Sequence, residues 1–352
     1  MSKRLSVSYV YPKEYTFVKR DIQYMESEFV VRKHSFLPSS SWKLPLCMLV
    51  QAFRLLGEIP MTDIVVCQFA GYHTLVPSIL AKVFNKPLLV IASGTESAGF
   101  PLIDYGNHRK RWLSKATCFT MRMATAISPV HKSLIESNYT YSKDFPAKQG
   151  ILHYCSKVKA SFHPIPYGFD SSVFKPKQDQ RIQNSFVTMA FGIGQEKLRK
   201  LKGADLILEV APRFPDCTFV LVGAEGLTEE LPSNVTVHGA VSISEVPNLL
   251  SKYEFYFQLS VSEGFPNALG EAMLCGCIPI GSNVTSIPDI IGDSGFILGN
   301  RNEHQLEELI KVALMSDRHA LSANARKRIQ SNYPAERRRN ELVSLVNKMV
   351  AN

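Results

Sequence analysis

Short uninterrupted apolar runs recur along the chain. Between them lie stretches in which apolar positions return every third or fourth residue. Runs of four to eight apolar residues bounded by polar or turn-forming positions suit strands buried on both faces, and the three-to-four recurrence suits helices with one buried stripe. In the first half this pattern predicts strands over 5–11, 64–68, 88–92, 124–128 and 160–165, with helices over 17–28, 76–84 and 129–136. In the second half it predicts strands over 185–191, 218–222, 235–238, 255–259 and 278–281, alternating with helices over 204–211, 246–251, 268–275 and 303–315. Such alternation implies an α/β chain with parallel sheets. The stretch 171–184 is polar and lacks a period. It divides the chain into domains over 1–172 and 173–334, followed by a segment over 335–352 with helical periodicity and a basic face at positions 337–339. A length of 352 residues leaves each half large enough to bury its own core.

Composition narrows the class. With 45% hydrophobic and 20% charged residues, the chain is neither disordered nor fibrous. The basic opening is followed by only a short apolar run before Pro12 and Lys13, which predicts a first strand rather than a leader. The apolar runs at 44–50 and 88–92 fall well short of the roughly 20 residues that span a bilayer. Seven cysteines at 47, 67, 118, 155, 217, 275 and 277 form no CxxC pair, so the expectation is reduced core thiols, no metal site and a cytoplasmic protein.

The net charge of +9 is unevenly spread. Residues 1–172 carry 21 Lys and Arg against 11 Asp and Glu, a balance of +10, while the remainder carries 19 against 20. A basic first half suits an anionic partner, such as the inner face of the cytoplasmic membrane or a lipid-phosphate acceptor, and equally a solvated surface. The HRKR run at 108–111 beside Trp112 could meet a membrane. No nucleic-acid motif frames it, so no nucleic-acid partner is expected.

The strongest chemical signal is SEGFPNALGEAMLCGCIPI at 262–280. Glu263 stands after a strand, a tight Gly264-Phe265-Pro266 turn follows, and a helix begins near Asn267 with Glu271 about one turn in. The amides of Phe265, Asn267 and Ala268 should point together, and free amides at a helix start are a natural phosphate seat. Carboxylates beside them repel phosphate but accept hydrogen bonds from sugar and ribose hydroxyls. Taken singly, either acid is equally an ordinary helix-start acid favoured by the macrodipole.

This stretch resembles the E-x7-E element of retaining GT-B glycosyltransferases of family 4. The resemblance extends to Ser260, to FHPIPYGFDSSVFKP (162–176), to the Lys-Gly pair in LKGADLILEVAPRFPDCTFVLVG (201–223), to VTVHGAVSISEVPNLLSKYEF (235–255) and to ATAISPVHKSLIE (124–136). It implies a GT-B fold, two Rossmann-like domains with parallel sheets facing across a cleft. It further implies transfer of a sugar from a UDP-, GDP- or ADP-sugar, with no cofactor or metal, to a glycan or lipid-linked acceptor, with retention. By the same resemblance Lys202 contacts the donor diphosphate, where an ammonium stabilises the leaving charge, and Glu263 binds the donor sugar. Glu271 takes the ribose hydroxyls, Gly192 and Gly194 admit close backbone approach, and the base lies by His238, Gly239 and Val241. The sequence departs from the family at Ile193, where an Arg is usual, leaving Lys197 or Arg199 to supply a second cation. On the acceptor side Ser93, Gly94 and Glu96 stand where the family has a His-Gly-x-Asp element, and His73 is a candidate replacement for the absent His. The alternative is a catalytically silent protein that keeps the fold and serves as a regulatory or scaffolding partner.

Overall fold

A computed structural model describes residues 4–177, 180–224, 226–227 and 230–351. It contains two six-stranded, wholly parallel sheets. The first lobe runs β1 (Ser6–Tyr11), α1 (Thr16–Glu26), β2 (Val30–Ser35), α2 (Leu44–Glu58), β3 (Ile64–Gln68), α3 (Leu75–Val83), β4 (Leu88–Ala92), α4 (Arg111–Met123) and β5 (Ala126–Pro129). After these come a two-stranded antiparallel ribbon, β6 (Ser137–Asn138) with β7 (Lys148–Gln149), then α5 (Ile151–Tyr154) and β8 (Ser161–Phe162). Its strand order is β2-β1-β3-β4-β5-β8.

The second lobe runs β9 (Ile182–Met189), α6 (Glu196–Lys202), α7 (Ala204–Val210), β10 (Thr218–Val222), β11 (Val235–His238), α8 (Val246–Leu250), β12 (Tyr253–Gln258), α9 (Asn267–Leu274), β13 (Ile278–Ser282), α10 (Ile287–Ile291), β14 (Phe296–Leu298), α11 (Glu303–Met315) and α12 (Arg318–Asn332). Its order is β11-β10-β9-β12-β13-β14. The chain order reverses beside β1 in one sheet and beside β9 in the other. In open α/β sheets the crevice at such a reversal, outside the carboxyl ends of the strands, is where ligands bind.

The central strands are mostly apolar because both faces are covered, whereas edge strand β2 carries Arg32, Lys33 and His34. In the second lobe Phe186 stacks on Phe219, Phe255 and Phe257 with ring centroids 4.8–5.1 Å apart. All four rings are buried, each contributing roughly 2–3 kcal/mol.

The closing helix α13 (Ala335–Ala351) packs its Leu342, Leu345 and Val346 into the first lobe's core with Val18 and Ile22 of α1. Arg338 corrects the reading of 337–339 as a basic surface. It is buried, forks onto Asp21 at 2.5 and 2.7 Å, donates to the Ile165 carbonyl at 2.7 Å and lies over the Tyr167 ring.

Other sequence expectations also change. The helix expected over 129–136 is instead the end of β5 and a single tight turn at Lys132–Leu134, since Pro129 completes the strand. Cys118 and Cys155 are joined in a disulfide rather than reduced, because α4 and α5 bring together residues 37 apart in sequence. The apolar run at 44–50 continues, and over Leu44–Met61 the chain is long and apolar enough by length and composition to cross a membrane. β2, α2, α4, α6, α10, β14 and α12 lie where no element was expected. The segment 171–184 ends inside β9, and residues 178 and 179 lie outside the described residues.

Candidate active site

The two sheets present their chain-order reversals to each other, and a cavity of about 610 Å³ lies between them. The first lobe lines it from the loop after β1 and the start of α1 (Tyr15, Thr16, Phe17, Arg20), from Phe69 after β3 and from Ser93 after β4. The second lobe lines it from the end of β9 (Met189, Phe191), from Lys202 and Val241, and from Gln258, residues 263–268 and Glu271.

Lys202 ends α6, and Gly203 caps that helix in a left-handed conformation at φ 72°. A Cβ at Gly203 would stand 2.2 Å from the Leu259 carbonyl, so only glycine lets α6 and α7 meet against the end of β12. The Val261 amide donates to the Leu201 carbonyl at 2.8 Å and holds the two loops together. Lys202 Nζ consequently sits 2.7 Å from Glu263 Oε1. That oxygen also accepts from Ser260 Oγ at 2.9 Å and, at 3.4 Å, from Gln258 Nε2, whose shorter bond of 2.8 Å is to Ser260 Oγ.

Glu271 is buried one turn into α9. Desolvation pushes its carboxyl up to about 7, with the Arg20 guanidinium pulling the other way. Asn267 Oδ1 is buried with no partner among the described residues, an acceptor at the cavity wall. The lobes touch here. A Cβ on Gly264 would lie 1.6 Å from the Ser93 carbonyl oxygen, and one on Gly94 would lie 3.0 Å from Gly264 N and Cα. Glycine at both turns brings the backbones of the two lobes together at the residue after Glu263.

Of the residues singled out for the donor, Lys202, Val241, Glu263, Gly264, Phe265, Pro266, Asn267, Ala268 and Glu271 line this cavity. Gly192, Gly194, Lys197, Arg199, His238 and Gly239 do not. Lys197 is exposed roughly 140° around α6 from Lys202, Arg199 is buried, and His238 and Gly239 are exposed where edge strand β11 ends. Ile193 is core.

On the first lobe Ser93 lines the cavity, bonded to Tyr167 OH at 2.8 Å and accepting from Gln68 at 2.9 Å. Gly94 is the contact to Gly264. Glu96 is buried away from the cavity, where its carboxylate accepts the Ser93 amide at 2.5 Å and the Thr95 hydroxyl at 3.0 Å. Burial raises its pKa, and its work is to brace the turn. His73 lines a separate neighbouring groove, bonded to the Gln68 carbonyl at 2.9 Å, and burial lowers it to about 4, so its ring is neutral at ordinary pH.

Several cavity residues escaped the sequence reading. Arg20 supplies a cation from the opposite lobe and also donates to the Gly168 carbonyl at 2.8 Å. Tyr105 has its hydroxyl's pKa raised by burial and by the charge of Glu263. Phe69 holds a left-handed φ of 64°, a strained conformation for a bulky residue. No local motif marks any of the three, and the positive φ is invisible without coordinates.

Residues 189–328 match the family model described as glycosyl transferases group 1. The match lies wholly within the second lobe. The group 1 match begins at the end of β9 and takes in Lys202, Glu263 and Glu271. Among curated relatives, a phosphatidylinositol N-acetylglucosaminyltransferase component from Arabidopsis thaliana is 28% identical over 163 residues, 43% of this chain and 36% of that one. The Escherichia coli serotype-specific mannosyltransferase WbdA is 26% identical over 220 residues, 58% of this chain and 26% of that one. The chain thus spans between about a quarter and two-fifths of the length of these relatives.

Similar solved structures extend over both lobes. Sucrose-phosphate synthase from Thermosynechococcus elongatus superimposes with a TM-score of 0.76 at 14% identity, over 99% of this chain and all of that one. Anabaena HepE in complex with UDP and glucose superimposes with a TM-score of 0.70 at 14% identity, over 97% of this chain and 99% of that one. The fold is GT-B.

Proposed function

We propose that the protein transfers a sugar, with retention, from a nucleotide-sugar to a glycan or lipid-linked acceptor in cell-surface glycoconjugate synthesis, at the inner face of the cytoplasmic membrane. The observation that carries this reading is the convergence of Lys202, Glu263, the leading amides of α9 and Glu271 on one cavity between two closed lobes. The UDP named for Anabaena HepE and the sugar transfers named for the curated relatives support it.

In this reading the nucleoside diphosphate seats on the leading amides of α9, where helix-terminal N–H groups favour negative charge. Lys202, on its flexible four-carbon stem, swings from Glu263 to the diphosphate as the glycosidic bond breaks, and an ammonium there stabilises the departing charge without a metal. Glu263, released from Lys202 and still bonded to Ser260, accepts from the sugar's hydroxyls. Glu271 and Asn267 Oδ1 accept from ribose or base. Arg20 is the second cation that neither Lys197 nor Arg199 supplies. The acceptor hydroxyl attacks on the face the diphosphate leaves, and the leaving phosphate takes its proton. No imidazole base is required, which suits Ser93 in place of a His and a neutral His73 outside the cavity. The Gly94–Gly264 contact keeps water from the half-broken donor.

The test is a screen of UDP-, GDP- and ADP-sugars for released nucleotide, run on the wild type and on Lys202→Ala. Nucleotide release from one donor, lost about 10²–10³-fold in the variant without loss of fold, is expected. Thermal stabilisation by a nucleotide with no turnover of any donor would instead identify a catalytically silent protein.

A further inference from the structure

α2 is built inside out. Its inner face holds Gln51, which donates to the His73 carbonyl at 3.0 Å, and Glu58, bonded to His34 and Ser8; Leu55 is its one fully buried apolar side chain. Its outer face carries Leu46, Leu49, Val50, Phe53 and Leu56, all exposed, with Phe53 80% exposed. These positions recur at helical spacing and form one stripe. Arg54 is the only charged residue on that face, and no acid interrupts it. Ile79 and Val83 of the adjoining α3 extend the apolar surface, beside the exposed Lys82. A contiguous exposed apolar surface of this kind marks an interaction site.

The surroundings identify what it meets. Trp42 precedes α2 and lies 75% exposed with Lys43 Nζ over its ring, and Trp112 opens α4, 69% exposed with Lys115 Nζ over its ring. Lys110 and Arg111 adjoin Trp112, and the nearby acid Asp104 is engaged by Arg109 at 2.5 Å. Exposed Trp–Lys pairs around an apolar helix match a bilayer interface, where indole rings sit at headgroup level and cations meet anionic lipid. The helix cannot cross the bilayer, since it feeds through Ile59 into the central strand β3 and its inner face is tied to the lobe. It can only lie along the surface.

An apolar groove of about 940 Å³ is lined by near sequence neighbours of both tryptophans. Its walls include Leu37 and Leu44 on the α2 side and Leu113 on the α4 side. It shares Tyr15, Phe17, Phe69, Tyr105, Phe191 and Lys202 with the cavity between the lobes.

We infer that the outer face of α2, with Trp42 and Trp112, docks on an anionic bilayer, and that the adjoining groove receives the apolar part of a lipid-borne acceptor. The second clause rests on the transferase reading. The surface and the groove stand on their own.

The chain has two tryptophans, and both are exposed and belong to the proposed docking surface, so its intrinsic fluorescence reports the docking directly. Full-length protein is mixed at low salt with vesicles of phosphatidylcholine and phosphatidylglycerol, or of phosphatidylcholine alone, with and without bromine-labelled chains. Sedimentation with the mixed vesicles, a blue shift and bromine quenching are expected, with weaker binding to phosphatidylcholine and at raised salt. The double variant Leu49→Gln, Phe53→Gln should lose about tenfold or more of the bound fraction, with unchanged melting because both side chains are exposed. Unaltered fluorescence in the wild type, or equal binding by the variant, overturns the inference. So does a wild type that is dimeric in solution and made monomeric by the variant, which would assign the face to a second copy. Melting with UDP, GDP or ADP is measured in parallel. Nucleotide stabilisation without vesicle binding removes the docking surface and leaves the transferase reading, and vesicle binding without a nucleotide response does the reverse.

Discussion

Gly264→Ala tests whether the closed arrangement of the lobes is the working one. Gly264 does not adopt a left-handed φ, so alanine suits its backbone, and the second lobe taken alone has no reason to reject the methyl group. The obstacle comes from the other lobe, since the new Cβ would lie 1.6 Å from the Ser93 carbonyl oxygen. A carbon and a carbonyl oxygen rest at about 3.3 Å, so the turns must part by roughly 1.7 Å. Because both turns are backbone, no side-chain rotation relieves the contact, and the Gly94 nitrogen on the facing turn would also lie within 3.1 Å. Displacing reacting groups by about 1 Å can cost on the order of 10²-fold in rate, or about 2.7 kcal/mol of barrier. The variant should therefore lose about two orders of magnitude in kcat/KM for transfer while its melting temperature stays near wild type and its nucleotide affinity falls far less, because all of the nucleotide seat but Arg20 belongs to the second lobe. Steady-state nucleotide release and calorimetric nucleotide titration separate the two effects. Wild-type turnover by Gly264→Ala would refute the reasoning, since the chemistry would then proceed without the Ser93–Gly264 contact.

Two further substitutions read the buried acid and the buried imidazole. Glu271 carries a pKa of about 7 in the fold against an ordinary value of 4.5, so the folded state binds the proton more tightly and stability falls as pH rises from about 4.5 to 7. Glu271→Gln should raise the melting temperature at pH 8, by an amount equivalent to about 2–3 kcal/mol, and make little difference near pH 4. In the wild type, nucleotide binding should tighten as pH rises through 7, because hydroxyls donate to the ionised carboxylate; binding flat from pH 6 to 8 would count against that contact. His73 is depressed to about 4 from 6.5, so the unfolded chain binds the extra proton and stability is lost as pH falls from about 6.5 towards 4. His73→Asn should flatten that acid limb in thermal melts and leave the pH dependence of turnover between 6 and 8 unmoved; a changed rate profile would return His73 to the chemistry.

Much of the second lobe was legible in the linear chain. Its strands are short apolar runs closed by polar residues, and the Glu263-Gly264-Phe265-Pro266 turn with Glu271 eight residues after Glu263 is a local pattern whose geometry follows from one strand end and one helix start. The first lobe was read less well. α2 carries more apolar side chains outward than inward, so its periodicity points to the wrong face. α4 begins in a basic run that reads as solvated loop. Pro129 and the tight turn after it mimic a helix start. The family resemblance, carried by local motifs, marked Lys202, Glu263 and Glu271 as candidates. It could not determine Arg20, Tyr105 or Phe69, which reach the cavity from a helix and loops far away in sequence and gain their meaning only when the two sheets face each other. The Arg338–Asp21 pair joins residues 317 apart, and the Cys118–Cys155 bridge joins two helices. Alternation of strand and helix, a property of neighbouring residues, settled the parallel sheets. Which charges are buried, which glycines touch, and which apolar face is left uncovered depend on contacts between distant segments, and packing alone decides them.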